Sequence, residues 1–115
     1  PSGLTTAYFL QLMGHQTVVF EEKPALGGML RYGIPNYRFP RKRLAQDIDY
    51  ILKTGVEVRL NTQIGRDISM EDLEKEYDAV YISIGAQTDK NFDIEGAGVC
   101  IGCLCNRCKQ EAYYV

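Results

Sequence analysis

Apolar positions recur along the chain first at helical spacing and then at the spacing of a strand. Residues 4–13 are apolar at enough positions for a helix buried on more than one side, and Gly14 follows where a left-handed residue commonly ends a helix. Residues 17–21, TVVFE, are β-branched and aromatic, which is typical of a strand inside a sheet. The chain is therefore predicted to open with a helix and a strand.

A second helix and a second strand are predicted beyond Pro40. Apolar residues recur at helical spacing between residues 44 and 52, and Gly55 is placed to end that helix. Residues 56–60, VEVRL, alternate apolar and charged side chains, as in a strand with one buried face.

The pattern closes with a short helix and an apolar run. Ser69, with Asp72 three residues later, predicts an N-cap for a helix that ends near residue 76. Residues 78–86, DAVYISIGA, are almost continuously apolar, which predicts a parallel strand covered on both faces.

This alternation of helices and strands predicts an α/β fold with a parallel sheet built from crossover units. A helix as apolar as residues 4–13 ordinarily packs on a strand that precedes it, so we expect the first strand of the sheet to be missing. The expected organisation is a partial Rossmann-like FAD/NAD(P)-binding domain over residues 1–95 and a cysteine-rich tail over residues 96–115.

Composition agrees with a globular protein and excludes two classes of partner. The 115 residues are 45% hydrophobic and 24% charged, the balance of one soluble domain. The net charge of -2 offers no basic face for a nucleic acid. No apolar run reaches the ~20 residues that span a bilayer, and no basic leader opens the chain, so no membrane contact and a cytoplasmic location are expected.

Two short stretches suggest a dinucleotide site. Residues 1–3, PSG, stand where a Gly-x-Gly-x-x-Gly loop would end, directly before the first helix. Glu21 ends the next strand, where a carboxylate can accept hydrogen bonds from ribose hydroxyls. The alternative is a surface glycine and a strand-end acid that contacts only water.

The stretch between residues 21 and 40, EEKPALGGMLRYGIPNYRFP, fits neither a helical nor a strand period. With PSG and the strand that ends in Phe-Glu, it resembles the FAD-binding domain of the NADPH-dependent glutamate synthase small subunit family. Relatives of that family include NADPH:ferredoxin oxidoreductase subunits and the flavin domain of dihydropyrimidine dehydrogenase. The resemblance runs from residue 1 to about residue 85, and its most specific part is GGMLRYGIPNYRFP.

The resemblance implies a set of cofactor contacts. The bare backbone of Gly27 and Gly28 would lie against the flavin and its ribityl chain. Residues 1–4 would face the pyrophosphate, Glu21 the ribose, and the backbone of Ile64 the adenine. The expected FAD-binding residues are Pro1, Ser2, Gly3, Leu4, Glu21, Lys23, Gly28, Met29, Arg38, Ile64, Gly85 and Ala86.

Met29 and Arg38 would close over the cofactor, while Gly85 and Ala86 would end the strand whose turn passes the dinucleotide. The alternative for the apolar and aromatic side chains of this stretch is a small core beneath a loop. The side chains concerned are Met29, Leu30, Tyr32 and Tyr37.

By the same resemblance, the chain is part of an enzyme in which NADPH reduces FAD and electrons pass onward through iron-sulfur clusters. A partner subunit or domain would carry those clusters or the final acceptor site, and no side chain of this chain would act in catalysis. The nicotinamide-binding domain of such enzymes is absent from this sequence. The isolated chain is therefore expected to bind FAD weakly or not at all and to be inactive.

Four cysteines lie close together in the tail: Cys100, Cys103, Cys105 and Cys108. As thiols they could bind one thiophilic metal ion, although zinc sites usually separate their two pairs more widely and ferredoxin runs have other gaps. A non-catalytic assembly module with a metal-binding tail is thus the alternative function. A further alternative is that the tail is a truncated or out-of-frame extension without such chemistry.

Two features near the helices are predicted to be solvated. His15, the one histidine, follows the glycine that ends the first helix. Residues 41–43, Arg-Lys-Arg, begin the second helix, where positive charge opposes the helix dipole. A solvated basic face is expected there, with a nearby phosphate or acidic partner as the alternative.

Overall fold

The computed structural model describes residues 1–85. The chain divides into two compact units, Pro1–Ser83 and Ile84–Val115, and Ile84 and Gly85 are the described residues of the second. The boundary predicted at residue 95 lies outside the described part. The elements in chain order are α1 (Ser2–Leu12), β1 (Val18–Phe20), α2 (Gly28–Tyr32), α3 (Arg41–Leu52), β2 (Glu57–Arg59) and α4 (Met70–Glu76).

The sheet consists of β1 and β2, which pair in parallel with Val19 opposite Val58. Parallel strands need a crossover connection, and α3 lies within it. Backbone hydrogen bonds extend the pairing at both ends, because the Glu57 amide donates to the Thr17 carbonyl and the Glu21 amide to the Arg59 carbonyl. The prediction of an α/β fold is confirmed among residues 1–85.

The core forms between the first and third helices and the sheet. Leu4 of α1 and Leu44 and Ile48 of α3 are buried together with Leu26 of the connecting segment. Leu44 and Ile48 stand four positions apart and so lie on one helix face, which is the face that the sequence pattern predicts to be buried. Val19 and Val58 pack against this cluster and join it to the sheet.

The ends of three helices agree with the sequence predictions. Gly14 and Gly55 follow α1 and α3 with φ of 93° and 101°, a region that favours glycine. The Ser69 hydroxyl accepts a hydrogen bond of 3.1 Å from the Asp72 amide and caps α4. The Asp72 carboxylate accepts from the same hydroxyl at 2.7 Å, and not from the Ser69 amide as in the usual capping box.

Two sequence predictions are wrong in the described part. Residues 78–85 form no strand, because a strand requires a hydrogen-bonded neighbour and β1 and β2 pair only with each other among residues 1–85. The apolar run is accordingly exposed there, with Ile82 at 63%. The stretch that fits no period contains the short helix α2, which has one turn and begins at a glycine.

One face of α1 is apolar and exposed. Leu4 and Ala7 are its buried residues, whereas Phe9, Leu12 and Met13 are 58%, 59% and 72% exposed. The prediction that this helix is buried on more than one side is therefore wrong for the described chain. No helix among residues 1–85 has the length and apolar character needed to cross a bilayer.

Candidate functional site

The carboxylate of Glu21 lies at the carboxyl end of β1, the edge of a parallel sheet where ligands bind in open α/β folds. Its backbone is fixed by two neighbours, since its amide donates to the Arg59 carbonyl and its carbonyl accepts from the Thr62 amide, both at 3.0 Å. Oε1 accepts from the Lys23 amide at 3.0 Å. Among residues 1–85 no hydrogen bond is found for Oε2, which is therefore available to a ligand hydroxyl.

The segment after β2 runs beside this carboxylate. The Asn61 amide donates to the Lys23 carbonyl at 3.4 Å, and Asn61 is the one non-glycine residue of the described chain with positive φ, 54°. Ile64 follows at 39% exposure and forms an isolated bridge with Ile68. Three predicted site residues, Glu21, Lys23 and Ile64, thus lie on closely linked segments at one edge of the sheet.

The start of α1 meets the double glycine. Pro1 is the N-cap residue, and its carbonyl accepts the first helical hydrogen bond from the Thr5 amide at 3.0 Å. A β-carbon on Gly28 would stand 3.3 Å from Cδ of Pro1, and Gly28 has φ of 50°. The structure therefore brings Pro1 and Gly28 together, although the whole of α1 and β1 lies between them in sequence.

Residues 81–83 lie against the first turn of α1. A β-carbon on Gly3 would stand 2.5 Å from the Ser83 hydroxyl, so a larger residue there would require the Ser83 side chain to move. The Ser2 and Tyr81 hydroxyls are 2.9 Å apart. Hydrogen bonds from Ser2 and then Thr6 lower the pKa of Tyr81. Ser2 is thus oriented by a tyrosine that the sequence pattern did not single out.

Gly27 is explained by packing inside the protein. Its φ is 125°, and a β-carbon there would come within 3.0 Å of Cδ2 of Leu44 and 3.1 Å of Cβ of Arg31. Gly27 is buried, so its bare backbone permits α2 to approach α3. A flavin contact is not needed to account for Gly27, whereas Gly28 is the member of the pair that lies beside the PSG motif.

The residues expected to close over the cofactor differ in their surroundings. The Met29 side chain folds back over Gly33, where a β-carbon would contact Cε of Met29. Arg38 is exposed, and its guanidinium has no hydrogen bond or ion pair among residues 1–85. Tyr37 is 79% exposed, whereas Leu30 packs against the core cluster. The alternative interpretation places Met29, Leu30, Tyr32 and Tyr37 in a small core beneath the loop. Of these four residues, Leu30 packs against the core cluster.

Arg41 is a residue whose role sequence reasoning missed. Its guanidinium donates to the Leu30 carbonyl at 2.5 Å and to the Ile34 carbonyl at 2.7 Å, so the prediction of a solvated Arg41 is wrong. Lys42 and Arg43 are exposed as predicted, and His15 is also exposed. A cation in the first turn of a helix is opposed by the helix dipole. This unfavourable position was the feature of the sequence that could have indicated a specific partner for Arg41.

Several predicted site residues are not placed at this site. The side chain of Leu4 is buried in the core, so only its backbone is available to a ligand. Gly85 has φ of 69° and belongs to the second compact unit. Ala86 and the four cysteines lie outside the described residues, so the metal site stays a prediction. No group of histidine, cysteine, aspartate and glutamate side chains suited to a metal ion occurs among residues 1–85.

Comparison with known proteins gives relatives over most of the chain, although no protein-family model matches it. The chain is 43% identical over 96 residues, or 84% of its length, to the beta subunit of NADP(+)-dependent formate dehydrogenase of Moorella thermoacetica. It is 44% identical over 98 residues to the beta subunit of NADPH-Fe(3+) oxidoreductase of Geobacter sulfurreducens. It is 32% identical over 115 residues, or 96% of its length, to the small chain of glutamate synthase [NADPH] of Escherichia coli.

These relatives are much longer than the chain. It covers 14% of the formate dehydrogenase subunit, 15% of the iron oxidoreductase subunit and 24% of the glutamate synthase small chain. The similarity therefore concerns one segment of each relative.

Proposed function

Because the chain is homologous to one segment of the NADPH-dependent glutamate synthase small subunit family and its oxidoreductase relatives, we propose that it forms part of the FAD site of an NADPH oxidoreductase. The proposal draws on the shared use of NADP(H) in the names of these relatives. The observation that carries it is the placement of Glu21 at the carboxyl end of β1 with one carboxylate oxygen unengaged among the described residues.

The described residues fit the adenosine and pyrophosphate end of FAD. Glu21 would accept hydrogen bonds from ribose hydroxyls, and the segment that ends at Ile64 lies on the same edge of the sheet. The first amides of α1 have no acceptor within the helix and would donate to the pyrophosphate. The bare backbone of Gly28 lets the Pro1 ring pack beside it, so the start of α1 and the double glycine would lie next to the same part of the bound cofactor.

The protein contributes binding and orientation to the proposed reaction. When bound, FAD would take two electrons from NADPH and release them to an acceptor. Arg38, exposed on the loop between α2 and α3, would contribute a positive charge to the bound cofactor. We further propose that a partner subunit or domain carries the iron-sulfur clusters or acceptor site, since two of the relatives are named as beta subunits.

The test is the flavin content of the full-length natural protein. We expect a purified preparation to show the flavin absorption bands, to release FAD and not FMN on denaturation, and to lose its visible absorption when NADPH is added without oxygen. The 115-residue chain alone is expected to bind FAD weakly or not at all. A full-length protein that stays colourless after incubation with excess FAD would contradict the proposal.

A further inference from the structure

Side chains bind the backbone carbonyls of the glycine segment, defined here as residues 25–34. The Tyr32 hydroxyl donates to the Ala25 carbonyl at 3.1 Å, and Nε of Arg31 donates to the Leu26 carbonyl at 2.6 Å. These two donors belong to the segment itself. Arg41, by contrast, reaches the segment from the first residue of α3.

The Arg41 guanidinium joins two points of the segment at once. One nitrogen donates to the Leu30 carbonyl within α2, and the other donates to the Ile34 carbonyl just beyond that helix. The Arg41 amide also donates to Oδ1 of Asn36 at 2.9 Å. The residue therefore fixes both the end of α2 and the loop that leads from it to α3.

The charge of Arg41 suits this position. The last carbonyls of a helix have no partner within it and carry partial negative charge, which a cation stabilises. At the start of its own helix, α3, the same cation is opposed by the dipole, and the hydrogen bonds to the Leu30 and Ile34 carbonyls offset that cost. The planar guanidinium reaches two separate carbonyls, which a single ammonium group does not.

We infer that Arg41 is a positioning residue, which holds the glycine segment against α3 in the conformation that places Gly28 beside Pro1. Leu44, three positions further along α3 and on the same face, fills the space beside Gly27, where an added β-carbon would lie 3.0 Å from Cδ2 of Leu44. Arg41 and Leu44 thus hold the segment at two successive points. The link from Arg41 to cofactor affinity rests on the proposed function, but its link to the conformation of the segment does not.

The test compares Arg41→Gln and Arg41→Lys with the control Arg43→Gln in the full-length natural protein. Arg43 is exposed, and its one ion pair among residues 1–85, to Asp47, has a length of 3.9 Å. We expect both Arg41 variants to raise amide hydrogen exchange at Leu30 and Ile34 roughly tenfold or more without cofactor, because charged hydrogen bonds are strong. We expect Arg43→Gln to leave it unchanged.

FAD affinity is the second readout. Both Arg41 variants should weaken FAD binding by roughly tenfold and alter the visible circular dichroism of any flavin that remains bound. If Arg41 instead contacted an anionic group of the cofactor directly, Arg41→Lys would retain FAD affinity, and the FAD affinity of Arg41→Gln would depend less on salt concentration. This outcome would overturn the inference. Ser69→Ala, which removes the α4 cap, controls for a general loss of stability and should leave both readouts unchanged.

The two proposals fail in different ways. If the wild-type protein binds no flavin, the proposed function fails, while the exchange data still decide the role of Arg41. If Arg41→Gln leaves exchange at Leu30 and Ile34 unchanged, the positioning role fails. Should Arg41→Gln not fold, Asn36→Ala removes only the bond to the Arg41 amide and should raise exchange in residues 33–38 by roughly threefold.

Discussion

The ring of Pro1 lies against the backbone of Gly28, with 3.3 Å between Cδ of the proline and the position of an added β-carbon. Pro1 is the N-cap residue of α1 and Gly28 is the first residue of α2, so this contact joins two helix starts. Among residues 1–85 it links the two stretches that the sequence analysis assigned to the cofactor, the PSG and Gly-Gly motifs.

We expect Gly28→Ala to reduce both stability and FAD binding. The left-handed φ of 50° would cost an alanine roughly 1–2 kcal/mol, and the new methyl group would press on Pro1. Gly14→Ala is the matched control, since Gly14 also has positive φ but no atom within 4 Å of an added β-carbon. Thermal unfolding and FAD titration of the full-length protein separate the effects. Equal loss of FAD affinity in both variants would argue against a role for the Pro1 contact.

Glu21→Gln is expected to weaken FAD binding roughly tenfold, because the carboxylate proposed to accept from the ribose hydroxyls becomes a neutral amide. Glutamine keeps an oxygen that can accept from the Lys23 amide, so the fold at the end of β1 should persist. The adjacent exposed acid gives the control Glu22→Gln, which changes the net charge by the same amount. The check is FAD titration by flavin fluorescence. Equal FAD affinities in Glu21→Gln and Glu22→Gln would show that FAD binding does not depend on a negative charge at residue 21.

Met29 and Gly33 should be energetically coupled. A β-carbon on Gly33 would contact Cε of Met29 and lie 2.9 Å from its carbonyl oxygen, so Gly33→Ala should destabilise the protein by roughly 1–3 kcal/mol. Met29→Ala removes the steric conflict with Cε and leaves the conflict with the backbone carbonyl oxygen of residue 29. The double variant should therefore be more stable than the sum of single effects by about 0.5–1 kcal/mol, as measured by chemical denaturation. Additive effects would mean that Met29 does not cover Gly33.

Asp67 should stabilise the protein above about pH 4 and lose that contribution on acidification. Hydrogen bonds from Arg66 and then from the Gln63 amide lower the pKa of Asp67 in the folded state. A carboxyl group whose pKa is lower in the folded state stabilises the protein at pH values above its unfolded pKa of ~3.9. This stabilisation disappears as the pH falls through the pKa of the folded state. Asp67→Asn should thus flatten the dependence of stability on pH below about pH 4.

Asp47→Asn provides the control for that measurement, because Asp47 pairs with Arg43 only at 3.9 Å. Denaturation midpoints between pH 2 and pH 6 would be compared for the wild-type protein and both variants. Identical acid dependence in the wild-type protein and Asp67→Asn would contradict the expectation.

Sequence reasoning succeeded where the structural cause was local. Dense apolar residues located α1, and helical spacing located α3. A β-branched and aromatic run located β1, alternation of apolar and charged residues located β2, and Ser69 with Asp72 located the start of α4. The glycines after α1 and α3 adopt the positive φ expected of them. Each of these features depends on side chains or dihedral angles within a few residues of one another.

It failed where distant parts of the chain decide the outcome. The apolar run at residues 78–85 indicated burial, but its sequence does not specify a neighbouring strand. Arg41 was interpreted as solvated because its acceptors, on Leu30 and Ile34, come to it only through the packing of α2 on α3. A glycine such as Gly27 signals a need for space, but only the structure shows that Leu44 fills that space.

The parallel pairing of β1 with β2 also constrains the order in which the protein can fold during synthesis. Within residues 1–85, the partner of β1 is β2, which is synthesised only after α2 and α3. Closing the loop between β1 and β2 costs conformational entropy, and the pairing of two three-residue strands compensates for little of it. Docking of α3 through Leu44 and Ile48 would bring β2 close to β1 and so lower the entropy cost of strand pairing.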